Sequence, residues 1–344
     1  MGFKRRSGPR QVFVSGSCHW YTCIPTLVAI EVTEGYPAGP SEETHRMRIE
    51  IFHTRVFAAG PGGGNPCPVI PFSEGLTDSQ MLGLAGRFGL DTAFITKPKS
   101  AGAHIGVRYF VPKHEMGISG HATVAALTVG VQIGFAAGPK VVVETASGLF
   151  PAELQQHDGT LTILLEQRTP SFGIVRKAKV VAPVLNLRVG DLDVEQSPIQ
   201  SVSVSRPKLL IPLQNSIVLD GIVIDPNALE RLCEDANVTG LYPFTRQTHR
   251  QHANAEARQF PYRAGFLEDA ATGVAAAALA AYLVKYDRHC IDGQHEMFIA
   301  QGFVMGAPSV IGNIVVCTER RFTRIAIRGH ATITGREQIK LENN

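Results

Sequence analysis

The chain carries little net charge: 33 lysines and arginines stand against 30 aspartates and glutamates, leaving +3 at pH 7. It has no basic stripe with interleaved aromatics, so no nucleic-acid-binding surface is expected. No apolar run reaches the ~20 residues that a membrane-spanning helix requires, so no membrane partner is expected either. The six cysteines (Cys18, Cys23, Cys67, Cys233, Cys290 and Cys317) are scattered. None forms a CxxC, and none stands with a histidine pair at zinc-ligand spacing. Free thiols in a reduced, cytoplasmic protein are the simplest expectation. What is present is a globular composition, 44% hydrophobic and 18% charged, on 344 residues, enough for two domains of ordinary size.

Residues 1–46 differ from the rest. "MGFKRRSGPRQ" is basic, "SCHWYTCIPTLVAIEV" is apolar but broken by Ser, His and Thr, and "EGYPAGPSEETHR" is turn-rich. A secretory signal needs an uninterrupted apolar core and a small-residue cleavage site, and neither is clear. An extension is expected here, with Met47 opening the folded unit.

From Met47 onward strand-like and helix-like segments alternate. "RIEIFHTRVF" reads as a strand, and "GPGGGNPCPVI" as a glycine loop leading to another. "TDSQMLGLAGRFG" is helical, with Thr77 or Asp78 as N-cap and Gly89 after its end. "TAFITKP" and "AHIGVRYFVP" are strands, "GHATVAALTVGVQIGF" is a helix, and a strand meander follows with "HDGT" as a hairpin turn. The second half repeats the scheme: "SVSVSRPKLLIPLQN" and "SIVLDGIVI" as strands, then a helix in "DPNALERLCEDAN" capped by Asp225. Two strand stretches, "GLYPFTRQ" and "AEARQFPYRAG", and the helix "ATGVAAAALAAYLVKY" come next. Gly- and Pro-joined strands close the chain.

An internal repeat lies in this order. "RYFVPKHEMGISGHATVAALTVGV" and "RQFPYRAGFLEDAATGVAAAALAAYLV" each run from an aromatic strand through a Glu-bearing loop to a small-residue helix. Both helices are apolar all round, and such a helix is buried all round. Each is therefore expected at the centre of a domain, wrapped by its own sheet. The expected fold class is α+β: two pseudo-symmetric domains, each a buried helix in a mostly antiparallel sheet. The expected boundaries are 47–168 and 169–334, with a strand near 335–344 returning to the first domain.

"HEMGISGH" invites a metal reading. A helical zinc pair needs histidines four apart, whereas His114 and His121 are seven apart with Gly117 and Gly120 between them, so no metal site is expected. As a helix entrance the stretch makes more sense. Ser119, Gly120 and His121 precede or open an apolar helix whose first amides lack intrahelical partners, and such an end attracts anions. Asp269, Thr272 and Gly273 stand at the start of the second helix. Two such starts facing one cleft would clamp an acidic small molecule; alternatively Asp269 and Thr272 are only caps. Glu115 and Glu268, which precede the two starts, are expected to be solvated loop charges, and His114 a surface loop residue.

Five segments then carry a resemblance: "GNPCPVI" (64–70), "LDTAFI" (90–95), "RYFVPKHEMGISGHAT", "EDAATG" (268–273) and "QGFVMGAPS" (301–309). In this order, over roughly residues 47–340, the chain resembles the phenazine-biosynthesis PhzF-like family. The resemblance implies a diaminopimelate epimerase-like fold with the active site between two domains. It also implies a cofactor-free proton shift on a small carboxylic acid, and a homodimer. The family's acid/base is a Glu; Asp91 stands there, a carboxylate one methylene shorter. His121 matches the histidine that contacts substrate or relays a proton, and Asp269 the aspartate that holds a polar substituent. Asn65, Ser119, Gly120, Thr272 and Gly273 are the implied substrate-binding positions. Ala270 replaces the family's proline, and Val274 stands where a serine is often found. Racemases of this fold use two thiols; Ser119 occupies one of those places, and the second helix start holds no cysteine. A hydroxyl is too weakly acidic to replace a thiolate without activation. The alternatives are an amino-acid racemase or epimerase on the same fold and a non-catalytic small-acid-binding protein.

Overall fold

A computed structural model describes residues 47–135 and 138–341. The extension expected over residues 1–46 lies outside the described residues. In the first half the elements are β1 (Met47–Val56), β2 (Asn65–Ile70), α1 (Asp78–Phe88), β3 (Thr92–Thr96), β4 (Ile105–Val111), β5 (His114–Met116), α2 (Gly120–Gln132), β6 (Lys140–Thr145), β7 (Gly148–His157) and β8 (Thr160–Gln167). There follow β9 (Ser171–Arg176), α3 (Ala178–Val181), β10 (Ile199–Ser203), β11 (Lys208–Leu213), α4 (Ser216–Asp220), α5 (Pro226–Ala236), β12 (Gly240–Thr245), β13 (Ala255–Ala257) and β14 (Phe260–Pro261). The last are α6 (Gly273–Asp287), β15 (Gly293–Gln301), β16 (Ser309–Thr318), β17 (Arg321–Gly329) and β18 (Ala331–Leu341).

Local chemistry sets most of these ends. Thr77 and Gln80 form a reciprocal capping box at the start of α1, and Gly89 closes it in the left-handed region at φ 66°. Asp225 accepts from the amides of Asn227 and Ala228 to start α5, with Pro226 at the first helical position. Asp158 and Gly159, both at positive φ, make the hairpin between β7 and β8. One expectation fails. "SIVLDGIVI" reads as a strand, but Asn215 accepts from the Val218 amide at 3.0 Å and starts the short helix α4. Here a local side-chain acceptor outweighs the apolar alternation.

All eighteen strands join through backbone hydrogen bonds. One run pairs β1–β2 antiparallel, β2–β3 parallel, β3–β4 antiparallel, β4–β6 parallel, then β6–β7 and β7–β8 antiparallel. A second run pairs β10–β11 antiparallel, β11–β12 parallel, β12–β13 antiparallel, β13–β15 parallel, then β15–β16 and β16–β17 antiparallel. The runs meet where β8 pairs with β17. β9 pairs with β10, and β18 pairs with β1 from Met47↔Leu341 to Val56↔Ala331. The mixture of helices and a large, mostly antiparallel sheet is α+β.

Helices α2 and α6 lie inside these strands. α2 packs on β1, β2, β3, β8 and β18, and α6 on β10, β15, β16 and β17. Gly120 to Leu127 and Gly273 to Val284 are buried without interruption. Alanine suits this role: it favours the helix intrinsically and keeps the helix axis close to the sheet. One apolar cluster includes both helices and their strands.

Candidate active site

The two buried helices meet start to start. A Cβ added at Gly120 would stand 3.1 Å from the Val274 amide nitrogen and 3.3 Å from Gly273 Cα. Any larger residue would crowd this approach. Neither Ser119 nor Thr272, the residues before the two helices, caps its own helix with a side chain. The first-turn amides of both helices are thus left without local side-chain acceptors. The cap-only alternative for Asp269 and Thr272 does not describe what their side chains do: Thr272 Oγ1 donates to Asp269 Oδ2.

Around this junction lies a cavity whose wall includes Asp91, Ser119, Gly120, His121, Asp269 and Thr272. Asp91 follows the end of α1 and immediately precedes β3, which turns its carboxylate toward the start of α2. Ser119 Oγ donates to Asp91 Oδ2 at 3.1 Å and lies 3.4 Å from His121 Nδ1. His121 Nε2 is 3.5 Å from the same Asp91 oxygen. Asp91 Oδ1 and His121 Nε2 are buried with no hydrogen-bond partner among the described residues. Burial raises the Asp91 pKa above the ordinary carboxylate range; the charge of His121 opposes this, and that of Asp269 adds to it.

Asp269 is held on both oxygens. Asn65 Nδ2 donates to Oδ1 at 2.6 Å and to the Ala271 carbonyl at 2.8 Å, while Thr272 takes Oδ2. Asn65 does not line the cavity; it braces Asp269 from behind. Gly273 likewise packs against Gly120 and is not in the wall. Gln301, fully buried, donates to the Asp269 carbonyl at 2.7 Å and accepts from the Thr272 amide at 3.2 Å, and Tyr242 OH donates to it at 2.9 Å.

Three residues before the helix starts differ from expectation. His114 is not a surface loop residue: it opens β5, is half-buried and lines the cavity. Burial, and then the charge of Arg206, hold its pKa below the usual histidine value. Glu115 lies in β5 rather than in a loop; it is exposed, as expected, and pairs with Arg108 at 2.7 Å. Glu268 forms a two-pronged pair with Arg258, at 2.8 and 2.7 Å, and the pair is largely buried. Arg258 Nη1 also donates to the carbonyls of Leu219 and Ile222, at 3.1 Å each, which ties the loop bearing Asp269 to the end of α4.

Sequence reasoning missed Arg206, Lys208 and Gln259, all in the cavity wall. A signal existed for two of them: "SRPKLLIPL" sets two cations at the head of an apolar strand. Lys208 is buried, donates to the Thr239 carbonyl at 3.1 Å, and has its pKa pushed down to about 7 by burial and by Arg206. Among the described residues no cysteine lines this cavity.

The chain matches the family described as phenazine biosynthesis-like protein (PhzC-PhzF) over residues 54–336. It is 31% identical to the uncharacterized isomerase YfhB of Bacillus subtilis, across 75% of this chain and 87% of that one. It is 25% identical to the trans-2,3-dihydro-3-hydroxyanthranilate isomerase of Pseudomonas chlororaphis, across 83% and 97%. Among solved structures, the PhzF-family phenazine biosynthesis protein of Bacillus anthracis superposes with a TM-score of 0.76 at 26% identity, covering 85% of this chain and 99% of that one. A family match through nearly all of the described body, with an isomerase relative of this identity and coverage, puts the protein in the phenazine biosynthesis-like PhzF family.

Proposed function

We propose that the protein is an isomerase that moves a proton between two carbons of a small carboxylic acid, with Asp91 as the acid/base, in the cavity where α2 and α6 meet. The observation that carries this is the pair of buried, unpartnered atoms Asp91 Oδ1 and His121 Nε2 in the cavity wall. A buried polar atom left without a partner costs about 1–3 kcal/mol, so both atoms are built to be completed by a ligand. The raised pKa of Asp91 makes its ionised form a stronger base than an exposed carboxylate, which C–H proton abstraction requires.

In this reading ionised Asp91 takes a proton from a carbon conjugated with the substrate carboxylate. The electron pair left behind spreads onto the carboxylate oxygens, which face the open amides of α2 and α6. Asp91 then returns the proton to another carbon, and no atom is gained or lost. Ser119 fixes the shortened carboxylate by its hydrogen bond to Oδ2. His121 hydrogen-bonds the substrate through Nε2. Asp269, held rigid on both oxygens, orients a polar substituent.

We also read the body as two related halves, β1 to β8 with β18, and β9 to β17. The support is the pairing order, which runs antiparallel, parallel, antiparallel, parallel, antiparallel, antiparallel in both. In each run the buried helix falls between the two strands of the second parallel pair.

The test is deuterium exchange. A panel of small unsaturated carboxylic acids, including the trans-2,3-dihydro-3-hydroxyanthranilate in the name of the P. chlororaphis relative, is incubated with the protein in D2O and read by mass spectrometry. Deuterium should enter at least one acid, and Asp91→Asn should slow its entry by about 10²–10⁴-fold. Entry at the wild-type rate in Asp91→Asn would overturn the assignment.

A further inference from the structure

Arg206 stands out among the arginines of the molecule. Arg108, Arg176, Arg246, Arg258 and Arg324 are each held by at least one carboxylate within 2.8 Å. Arg206 forms no ion pair among the described residues. Its one polar contact is from Nη1 to the sulfur of Met116 at 2.8 Å, a weak acceptor. A guanidinium carries five donors in a planar fork suited to a carboxylate, and half-buried Arg206 leaves most of them without a protein acceptor. The side chain comes from the loop between β10 and β11. It lines both the inner cavity, with Asp91 and Asp269, and the adjoining mouth, with His114, Thr239 and Tyr262.

A second observation falls on the same wall. Gln259 is 1% exposed, yet neither its amide nitrogen nor its amide oxygen has a hydrogen-bond partner among the described residues. A Cβ at Gly240 would come within 2.4 Å of Gln259 Nε2, so glycine there leaves the amide its room. Buried Lys208 adds a third donor beside Arg206, with only the Thr239 carbonyl as acceptor. Three donor groups thus line the same cavity as the starts of α2 and α6, from other elements of the chain. Ionised Asp91 would repel any anion bound nearby, so the Arg206 cation on this wall also offsets the charge of the base itself.

We propose that Arg206, supported by Gln259 and Lys208, is a second anion-binding subsite, and that the ligands of this cleft are dicarboxylic acids: one carboxylate at the starts of α2 and α6, the other on the Arg206 fork. This takes the cleft as the ligand site, as proposed above, but it concerns binding rather than proton transfer. A carboxylate on the fork would convert an unpaired, half-buried charge into a two-pronged pair. A neutral ester in its place would leave the guanidinium as it is.

Calorimetric titration tests this. Diacids with two to four carbons between the carboxylates, saturated and unsaturated, are compared with their monomethyl esters on wild type, Asp91→Asn, Arg206→Gln and Arg206→Lys. Wild type and Asp91→Asn should bind at least one diacid tenfold or more tighter than its half ester. Arg206→Gln should lose that preference, with a urea-unfolding transition like that of wild type to show that the variant is folded. Arg206→Lys, which keeps the charge but not the fork, should retain part of it. Equal affinity for diacid and half ester in wild type, no binding of any diacid, or a preference that survives Arg206→Gln would overturn the inference. Because Asp91→Asn is read by binding alone, a failed exchange experiment and a failed subsite give different results.

Discussion

Adding one methyl at Gly120 separates the helix junction from ordinary packing. The Gly120→Ala Cβ would lie 3.0 Å from Ile327 Cδ1, 3.1 Å from the Val274 nitrogen and 3.3 Å from Gly273 Cα. The isoleucine methyl can rotate away. The two backbone atoms cannot move unless α6 moves with them, and α6 is buried along nearly its whole length. Overpacking of this kind costs about 1–3 kcal/mol. The helix propensity of alanine returns less than ~1 kcal/mol, because Gly120 is the first residue of its helix. A net loss of about 1–2 kcal/mol is expected. Gly83, exposed on α1 with nothing within 4 Å of an added Cβ, is the control, and Gly83→Ala should gain about 0.5–1 kcal/mol. Urea unfolding of the three proteins, compared at a common slope, gives both values. Gly120→Ala should also bind carboxylic acids more weakly, since the amides at the two helix starts would no longer share one centre. A Gly120→Ala protein as stable as wild type, with unchanged ligand affinity, would refute the account of a glycine-dependent junction.

The other predictions concern buried charge. Arg258→Met would leave Glu268 largely buried and unpaired, and Glu268→Gln would leave the Arg258 guanidinium so; each should cost about 3–5 kcal/mol in urea unfolding, and a loss under about 1 kcal/mol in either would count against a buried ion pair. Lys208 has a folded pKa of about 7 against an ordinary 10.5, so the fold favours the neutral amine. Its contribution is fully present above the ordinary pKa and is lost as pH falls through about 7. Between pH 7 and 10, wild-type stability should therefore rise with pH by up to about 1.4 kcal/mol per unit more than that of Lys208→Met. Parallel stability curves for the two proteins would show that the amine is not buried as described.

Much of the candidate site was legible in short motifs, through the family resemblance that they carry. Asp91, Ser119, His121, Asp269 and Thr272 lie beside helix starts or turns, where a few neighbouring residues fix the backbone. The starts of α2 and α6 could be read from the glycines before long apolar runs. Residues whose position depends on distant partners were misread. His114 looked like loop because its strand, β5, has only three residues and exists by pairing with β4. Glu268 looked solvated because its partner, Arg258, lies ten residues earlier, across the turn that includes β14. Asn65 could be read as orienting either backbone or ligand, and its amide crosses 204 positions of sequence to reach Asp269. Arg206 and Lys208 showed only as two cations at the head of an apolar strand, and Gln259 belongs to no local pattern that marks a site.

The sequence by itself determined α1, α2, α5 and α6, most strands and the glycine-led helix starts. These follow from periodicity, capping and composition, which act over a turn or two of chain, whereas the carboxylates and histidine of the cleft were marked by the family resemblance. Only the tertiary structure decided that Gly120 and Gly273 touch, and that Ser119 joins Asp91 to His121. It alone showed that Asn65 and Gln301 hold the Asp269 loop from behind, and that an arginine without a carboxylate faces the cavity. Each of these depends on strand pairing and helix packing between segments far apart in the chain, and no local preference encodes where such segments meet.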